Sequence, residues 1–309
     1  MNALVTGGAG FIGCHLAAEL IAQGHEVTIV DDLSSGFASN IPNGADFIQA
    51  DLTNTDTYEL LTEGFTHVFH LASHVGQELS FETPVRDLEV NLLVTSRIIK
   101  WALDNGKPRI IFASSMNVYG DPANSTDPVS EETPVSLPSP YAVGKYSSEL
   151  LLDVYRPFGI SSASLRFFNV YGAKQDLSNL KQGMVSIFMS YVLKGKPVEV
   201  RGSLDRFRDF IHVSDVVDAC ILVAKSECEG VINVSTGVKT TVKSLIESII
   251  SAFREDPRIY PIIELAPTPR DQFGVFGVSN RLKELGWAPK ITLEKGLAEM
   301  AKWAKGLKD

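Results

Sequence analysis

The apolar positions of this chain fall in short runs separated by longer stretches of helical spacing. Residues 2–6 form a compact apolar run that ends in glycines, and positions 11–23 then repeat at helical intervals. Further apolar runs cover 25–31, 46–50, 67–72, 109–114 and 161–167, with helical stretches at 55–63, 85–105 and 141–156. Short strands alternating with helices predict a parallel sheet covered by helices on both faces. After Asn169 the pattern changes. A polar loop at 173–183 leads into a helix at 183–194, a strand at 197–201, a helix at 214–225 and a strand at 231–234, followed by a helix at 242–254, a strand at 260–264 and a helix at 293–306. The expected organisation is a doubly wound, Rossmann-type α/β domain over 1–168, to which some later segments return. A smaller α/β region over 169–309 packs at one end of the sheet. The stretch 122–140, rich in Pro, Ser and acid, is expected to be a surface loop.

Bulk properties narrow the classes. The 309 residues suffice for one large or two closely packed domains. A formal charge of −9 argues against a broad basic surface for nucleic acid or acidic membranes. No stretch approaches the roughly 18 consecutive apolar residues of a membrane span, and the first residues lack the basic start of a secretory signal. Cys14, Cys220 and Cys228 are scattered without metal-ligand spacing, so free thiols, no metal and a cytoplasmic setting are expected.

The first chemical signal is Val5-Thr6-Gly7-Gly8-Ala9-Gly10-Phe11-Ile12-Gly13. Gly7 permits a tight turn, Gly10 lets backbone approach a pyrophosphate, and Gly13 lets helix and strand pack closely. The helix then directs its N–H groups and positive dipole end at the phosphates. Asp31 closes the second strand, where a carboxylate can bind both adenosine ribose hydroxyls. A 2′-phosphate would be repelled there, and no arginine follows in Asp31-Asp32-Leu33-Ser34, which favours NAD over NADP. Spacing leaves two roles open for Asp51-Leu52 after the third strand: contacts to adenine, or a helix cap before Thr53-Asn54.

The second signal is Tyr141-Ala142-Val143-Gly144-Lys145, at the start of a helix after Pro140. Residues four apart share a helical face. Lysine there is expected to lower the tyrosine pKa so that a phenolate becomes accessible near neutral pH. Ser115 ends the 109–114 strand at the sheet edge where open α/β folds bind ligands. A tyrosine and a lysine four apart are commonly just a helix surface. The order of glycine loop, acid, strand-end serine and Tyr-xxx-Lys is what points to carbinol oxidation.

Together with His70-Leu71-Ala72, Ser114-Ser115-Met116-Asn117-Val118-Tyr119-Gly120, Arg166-Phe167-Phe168-Asn169-Val170-Tyr171-Gly172, Arg208-Asp209-Phe210-Ile211-His212 and Leu285-Gly286-Trp287, these segments resemble the extended short-chain dehydrogenase/reductase family of NAD-dependent nucleotide-sugar epimerases and dehydratases. The resemblance spans nearly the whole chain. It implies a catalytic Ser115, Tyr141 and Lys145. It implies NAD contacts at Gly7, Gly10, Phe11, Ile12, Gly13, Asp31, Asp32, Asp51, Leu52, Leu71, Ala72, Ser73 and Asn91, with Tyr141 and Lys145 also on the cofactor. Substrate contacts would come from Ser115, Asn117, Tyr141, Asn169, Arg208 and Arg270, the two arginines holding a pyrophosphate through paired bonds. Without the resemblance, a surface ion pair with Asp209 or Asp271 would be the favoured account of those arginines. A homodimer through 85–105 and 141–156 is the family expectation.

The family's 4,6-dehydratases carry an acid pair directly after the active-site hydroxyl residue, and its decarboxylases a glutamate at the second position. Met116 and Asn117 stand there, and neither is a general acid or base at neutral pH. The expected activity is therefore 4-epimerisation of a nucleotide-diphosphate sugar, with UDP-glucose/UDP-galactose or their N-acetylhexosamine analogues first. The alternatives are a UDP-glucuronate 4-epimerase, a dehydratase or reductase of the same fold, or a non-catalytic NAD-binding sensor. In the family, the bulk of a residue shortly after the late arginine helps decide whether an N-acetyl group fits, and by that resemblance the small Gly274 and Val275 after Arg270 imply room for a 2-N-acetyl group.

Overall fold

The computed structural model describes residues 1–61, 63–121, 127–181, 183–267 and 272–307. The chain opens with β1 (Asn2–Thr6), α1 (Phe11–Ala22), β2 (Glu26–Asp31), β3 (Asp46–Gln49) and β4 (His67–His70). It continues with α2 (Gln77–Glu82), α3 (Pro84–Leu88), α4 (Val94–Asp104), β5 (Arg109–Ser115), α5 (Pro140–Tyr155) and β6 (Ser162–Phe167). Then come β7 (Asn169–Tyr171), α6 (Met184–Leu193), β8 (Val198–Arg201), β9 (Phe207–Arg208), β10 (Phe210–His212), α7 (Val213–Lys225) and β11 (Gly230–Val234). Last are β12 (Thr240–Thr241), α8 (Val242–Ala252), β13 (Ile262–Leu265), β14 (Gly274–Val275), α9 (Asn280–Glu284) and α10 (Leu293–Gly306).

The chain divides into two units. The first comprises Met1–Val118, Leu137–Phe167 and Val217–Ile232; the second comprises Tyr119–Ser136, Phe168–Val216 and Asn233–Asp309. In the first unit the sheet runs β3-β2-β1-β4-β5-β6-β11, and every pairing from β3 to β6 is parallel. The order reverses between β1 and β4. That break is where a doubly wound sheet opens a crevice at the carboxyl ends of its strands. Ala3, Leu4 and Val5 have no exposed surface, so β1 is covered on both faces, as a central parallel strand must be. On one face Leu4, Val30, Val68, Ile110 and Phe112 pack against Ile98 and Ile99 of α4 and Leu152 of α5.

The helix expected at 85–105 is α3 and α4 joined by one π-helical turn, Glu89–Leu93. The extra residue in such a turn re-aims side chains, and these turns are frequent at functional sites. The helix expected at 55–63 is a 3-10 helix over Thr55–Leu60. In the second unit Val198 and Val200 of β8, Phe210 of β10 and the inner faces of α6, α8 and α10 make a separate apolar core. Its short strands β7, β9, β10, β12 and β14 have two or three residues each, too few to register as a period of apolar positions.

A buried ion pair ties α5 to the sheet. Arg166 of β6 donates Nε to Glu149 Oε1 at 2.9 Å and Nη2 to Glu149 Oε2 at 2.7 Å. Ser114 of β5 donates its hydroxyl to the same carboxylate. Both charged side chains are nearly devoid of exposure, 3% and 2%, so each stays tolerable only while the other is present. Glu149→Gln should cost about 3–5 kcal/mol in urea unfolding, because Arg166 then stays buried without its counter-charge. The double replacement Glu149→Leu with Arg166→Met should recover most of that loss.

Candidate active site

The glycine turn is built by exclusion of side chains. Gly7 has φ +70°, and a Cβ there would stand 2.7 Å from Ala72 N in the segment after β4. A Cβ on Gly13 would stand 2.2 Å from Gly7 O, so α1 rests directly on the turn. A Cβ on Gly10 would meet only Gly7 O, at 3.2 Å, which leaves that side of the turn open to a ligand. Gly10 caps α1 without a side-chain hydrogen bond. Phe11 and Ile12 therefore begin a helix whose first N–H groups have no intrahelical acceptor.

Asp31 braces this turn. Its Oδ2 accepts from Ala9 N at 3.0 Å and its Oδ1 from Leu33 N at 2.9 Å. Burial pushes its carboxyl above the ordinary aspartate range, against those two hydrogen bonds. Asp32 accepts from Ser34 N at 2.9 Å. The cap anticipated at Asp51 falls instead on Asn54, whose side chain accepts from Asp56 N. Asp51 accepts from Thr53 N at 2.8 Å and from Arg86 Nη2 at 3.1 Å. Leu52 is buried in the same core as Val30 and Leu61.

Arg86 was not singled out in the sequence, because it lies 35 positions from Asp51 and carries no local pattern. The fold brings it to Asp51, to 3.9 Å from Asp32 and to 3.8 Å from Glu89. Three carboxylates surround one guanidinium, so it is no surplus cation for a 2′-phosphate, and the set fits NAD. The segment after β4 is fixed by Leu71 N donating to Thr6 O and Ala72 N to Thr6 Oγ1, both at 3.1 Å. Ser73 donates to Asn91 Oδ1 at 2.7 Å, and Asn91, in the π turn, donates to His74 O at 2.9 Å.

The fold gathers Ser115, Tyr141 and Lys145. Ser115 is the last residue of β5, and its hydroxyl accepts from Asn117 N at 3.2 Å. Pro140 occupies the first turn of α5, where its missing N–H costs nothing. Ser139 caps the helix by accepting from Ala142 N at 3.2 Å. That cap sets Tyr141 at the helix start, where its hydroxyl interacts with Ser115 and Ser73. Lys145, 2% exposed, donates Nζ to Ala113 O at 2.9 Å. Its ammonium stands 5.7 Å from the Tyr141 ring centre and 4.9 Å from that of Phe112.

The phenolate expected near neutral pH is not found in the chain alone. Burial pushes the Tyr141 hydroxyl up to about 12, outweighing its hydrogen bonds to Ser115 and Ser73. Burial also pushes Lys145 down to about 7, against the charges of Asp87 and Glu149. Desolvation acts on both groups at once and outweighs the attraction that helix spacing suggested. Met116 is buried, and it and Asn117 lie in a short 3-10 turn over Met116–Tyr119.

Two anticipated substrate contacts, Asn169 and Arg208, belong to the second unit. Asn169 donates Nδ2 to Asp209 O at 3.0 Å. Arg208 is 6% exposed and donates Nη1 to Phe207 O at 2.7 Å and Nη2 to Gln272 O at 2.8 Å. A surface pair with Asp209 is ruled out, since that carboxylate is fully buried and accepts from the Thr236, Gly237 and Gly277 backbone. Arg270 lies outside the described residues. Gly274 and Val275 form β14, and a Cβ on Gly274 would stand 2.3 Å from the Phe207 ring. The small size of Gly274 is thus accounted for by Phe207 and does not argue for an N-acetyl pocket.

The seven-strand order with its break between β1 and β4, the glycine turn and the Ser-Tyr-Lys cluster define a dinucleotide-binding oxidoreductase-type fold. The chain belongs to the NAD-dependent epimerase/dehydratase family, whose model matches residues 3–235, and NAD is its cofactor. It is similar to a protein described as a putative UDP-glucose 4-epimerase of Methanocaldococcus jannaschii, with 34% identity over 98% of both chains. Among solved structures it resembles the UDP-glucose 4-epimerase of Thermotoga maritima with UDP-glucose, with TM-score 0.94, 32% identity and 100% of both chains covered. It also resembles the UDP-N-acetylglucosamine 4-epimerase of Methanobrevibacter ruminantium in complex with UDP-N-acetylmuramic acid, with TM-score 0.93, 32% identity, and 99% and 98% covered.

Gly13→Ala should destabilise the first unit by about 3 kcal/mol or more, since the clash is with backbone that cannot step aside. Thermal unfolding, together with the amount of NAD released on denaturation, should show both losses.

Proposed function

We propose that the protein is an NAD-dependent 4-epimerase of a UDP-sugar, with UDP-glucose/UDP-galactose or their N-acetylated analogues as substrates. The observation that carries this is the cluster of Ser115, Tyr141 and Lys145 flanked by Met116 and Asn117. A carbinol can be oxidised and reduced at that cluster, but no acid stands beside Ser115 to eliminate water. The epimerase relatives named above support the same choice.

NAD, when bound, supplies the hydride acceptor and a positive ring charge that adds to Lys145 in favouring the Tyr141 phenolate. Gly7, Gly10, Phe11, Ile12 and Gly13 bind its pyrophosphate. Asp31 and Asp32 take the adenosine ribose, and Asp51 and Leu52 the adenine. Leu71, Ala72, Ser73 and Asn91 shape the segment after β4 against it. Ser115 hydrogen-bonds the sugar 4-oxygen, and Tyr141 accepts the hydroxyl proton as C4 is oxidised. The resulting 4-keto sugar turns, C4 is reduced on its other face, and Tyr141 returns the proton. Asn169, Arg208 and Arg270 hold the nucleotide diphosphate, so binding energy comes from the part of the substrate that does not rotate.

The chain acts as a homodimer through the helical stretches 85–105, which hold α3, the π turn and α4, and 141–156, which is α5. Val143, Leu150 and Val154 of α5 are exposed apolar side chains, as is Leu93, the last residue of the π turn before α4. That is the composition of a helix face awaiting a partner. A cytoplasmic location is supported by three free cysteines, two of them buried.

Tyr141→Phe should lower kcat by about 10²–10⁴-fold with Tm and bound NAD retained. Near-normal turnover would sink the assignment. A panel of UDP-sugars with product stereochemistry read by NMR should show inversion at C4 without change in mass. Light scattering should give twice the chain mass, and Leu150→Glu should give the monomer.

A further inference from the structure

A carboxylate beside the triad has no part in the reaction as proposed. Asp87 of α3 has no exposed surface. Its Oδ1 lies 3.3 Å from His74 Nδ1, and its Oδ2 makes no hydrogen bond. Burying a carboxylate with one bare oxygen costs on the order of a few kcal/mol. Stability alone would favour a neutral residue there.

The fold brings that oxygen toward α5. Gly144, the residue before Lys145, lets α3 and the π turn close on α5. A Cβ at Gly144 would stand 3.0 Å from Asn91 Cβ and 3.8 Å from Asp87 Oδ2. The charged and titratable groups around Lys145 then sort clearly. On α5 itself, Tyr141 is a neutral phenol, and Glu149 is already matched by the bidentate Arg166 of β6. On β4, His70 bonds Thr6 Oγ1 at 2.9 Å and Thr95 Oγ1 at 3.1 Å, and burial pushes it down to about 3, so it is neutral. β5 offers a carbonyl and the Phe112 ring. Asp87, facing His74 from the segment after β4, is the one carboxylate in this set without a permanent cation on it.

We propose that Asp87 is a positioning residue for the reaction, the counter-charge that keeps Lys145 an ammonium beside Tyr141, with His74 fixing its carboxylate. Burial drives Lys145 toward its neutral form and also raises the Asp87 carboxyl, against the pull of His74; of the two carboxylates that resist the loss of the lysine proton, Asp87 acts more strongly than Glu149. A neutral lysine would leave the Tyr141 phenolate without its nearest positive charge.

This role rests on the assignment of Tyr141 and Lys145 above. The test is the pH profile of kcat with UDP-glucose for the NAD-loaded enzyme. Asp87→Asn keeps the shape and removes the charge, so Lys145 should lose its proton at lower pH. The alkaline limb should move down by about one pH unit, giving an approximately tenfold loss near pH 8 and less than about threefold near pH 6. Asp87→Glu should restore most of the limb. A uniform fall at every pH, or an unmoved limb, overturns the proposal. Should Asp87→Asn not fold, carbon-13 NMR of aspartate-labelled wild-type holoenzyme decides. An Asp87 carboxyl ionised wherever the enzyme is active supports the role, and one protonated there overturns it. If Tyr141→Phe stays active, the underlying assignment fails. If Tyr141→Phe is dead and Asp87→Asn keeps the wild-type profile, the role of Asp87 alone fails.

Discussion

Packing α5 against the carboxyl end of β5 governs the site, because it takes an ammonium out of water. Lys145 donates to the backbone at Ala113 O, at 2.9 Å, and its proton is held against burial by the charges of Asp87 and Glu149. Glu149 and Arg166 anchor the same helix one turn further on with a pair that is itself dehydrated. A buried ionic array is poor value as a source of stability. What it supplies is a fixed helix position, with Tyr141 held near Ser115 and Ser73.

The glycine turn imposes the complementary constraint at the break in strand order. There the backbone of β1, α1 and the segment after β4 approach so closely that side chains are excluded at Gly7 and Gly13. Thr6 serves both ends of this crossing, through its carbonyl to Leu71 N and its hydroxyl to Ala72 N. The hydroxyl also meets His70. One threonine thereby links the glycine turn to the segment that carries Ser73 and His74. A cofactor bound at that turn would meet a wall already registered to α5.

Much of this was legible along the chain because it depends on near neighbours. Gly7 to Gly13 lie within one turn and one helix start, and Tyr141 and Lys145 lie on one helical face. The long helices α1, α5, α8 and α10 also follow from spacing, since their apolar faces repeat over three or four turns. The fold class and the family followed from these local patterns. The two-residue strands β9, β12 and β14 did not, because pairing partners far along the chain define them rather than any periodicity. Nor did the π turn that aims Asn91 at Ser73 and His74.

Residue identity and short spacing thus determined which groups are present: a glycine turn, an acid closing β2, a serine, a tyrosine and a lysine, with Met116 and Asn117 directly after the serine. Folding settled the electrostatic state of those groups. Whether Tyr141 ionises easily depends on water excluded by α5 and β5, and whether Lys145 keeps its proton depends on Asp87, 58 positions away by number (145 − 87). Arg86 reaches Asp51 and Asp32 across three separate segments. Desolvation and charge pairing depend on distance in space, and local sequence does not encode that distance.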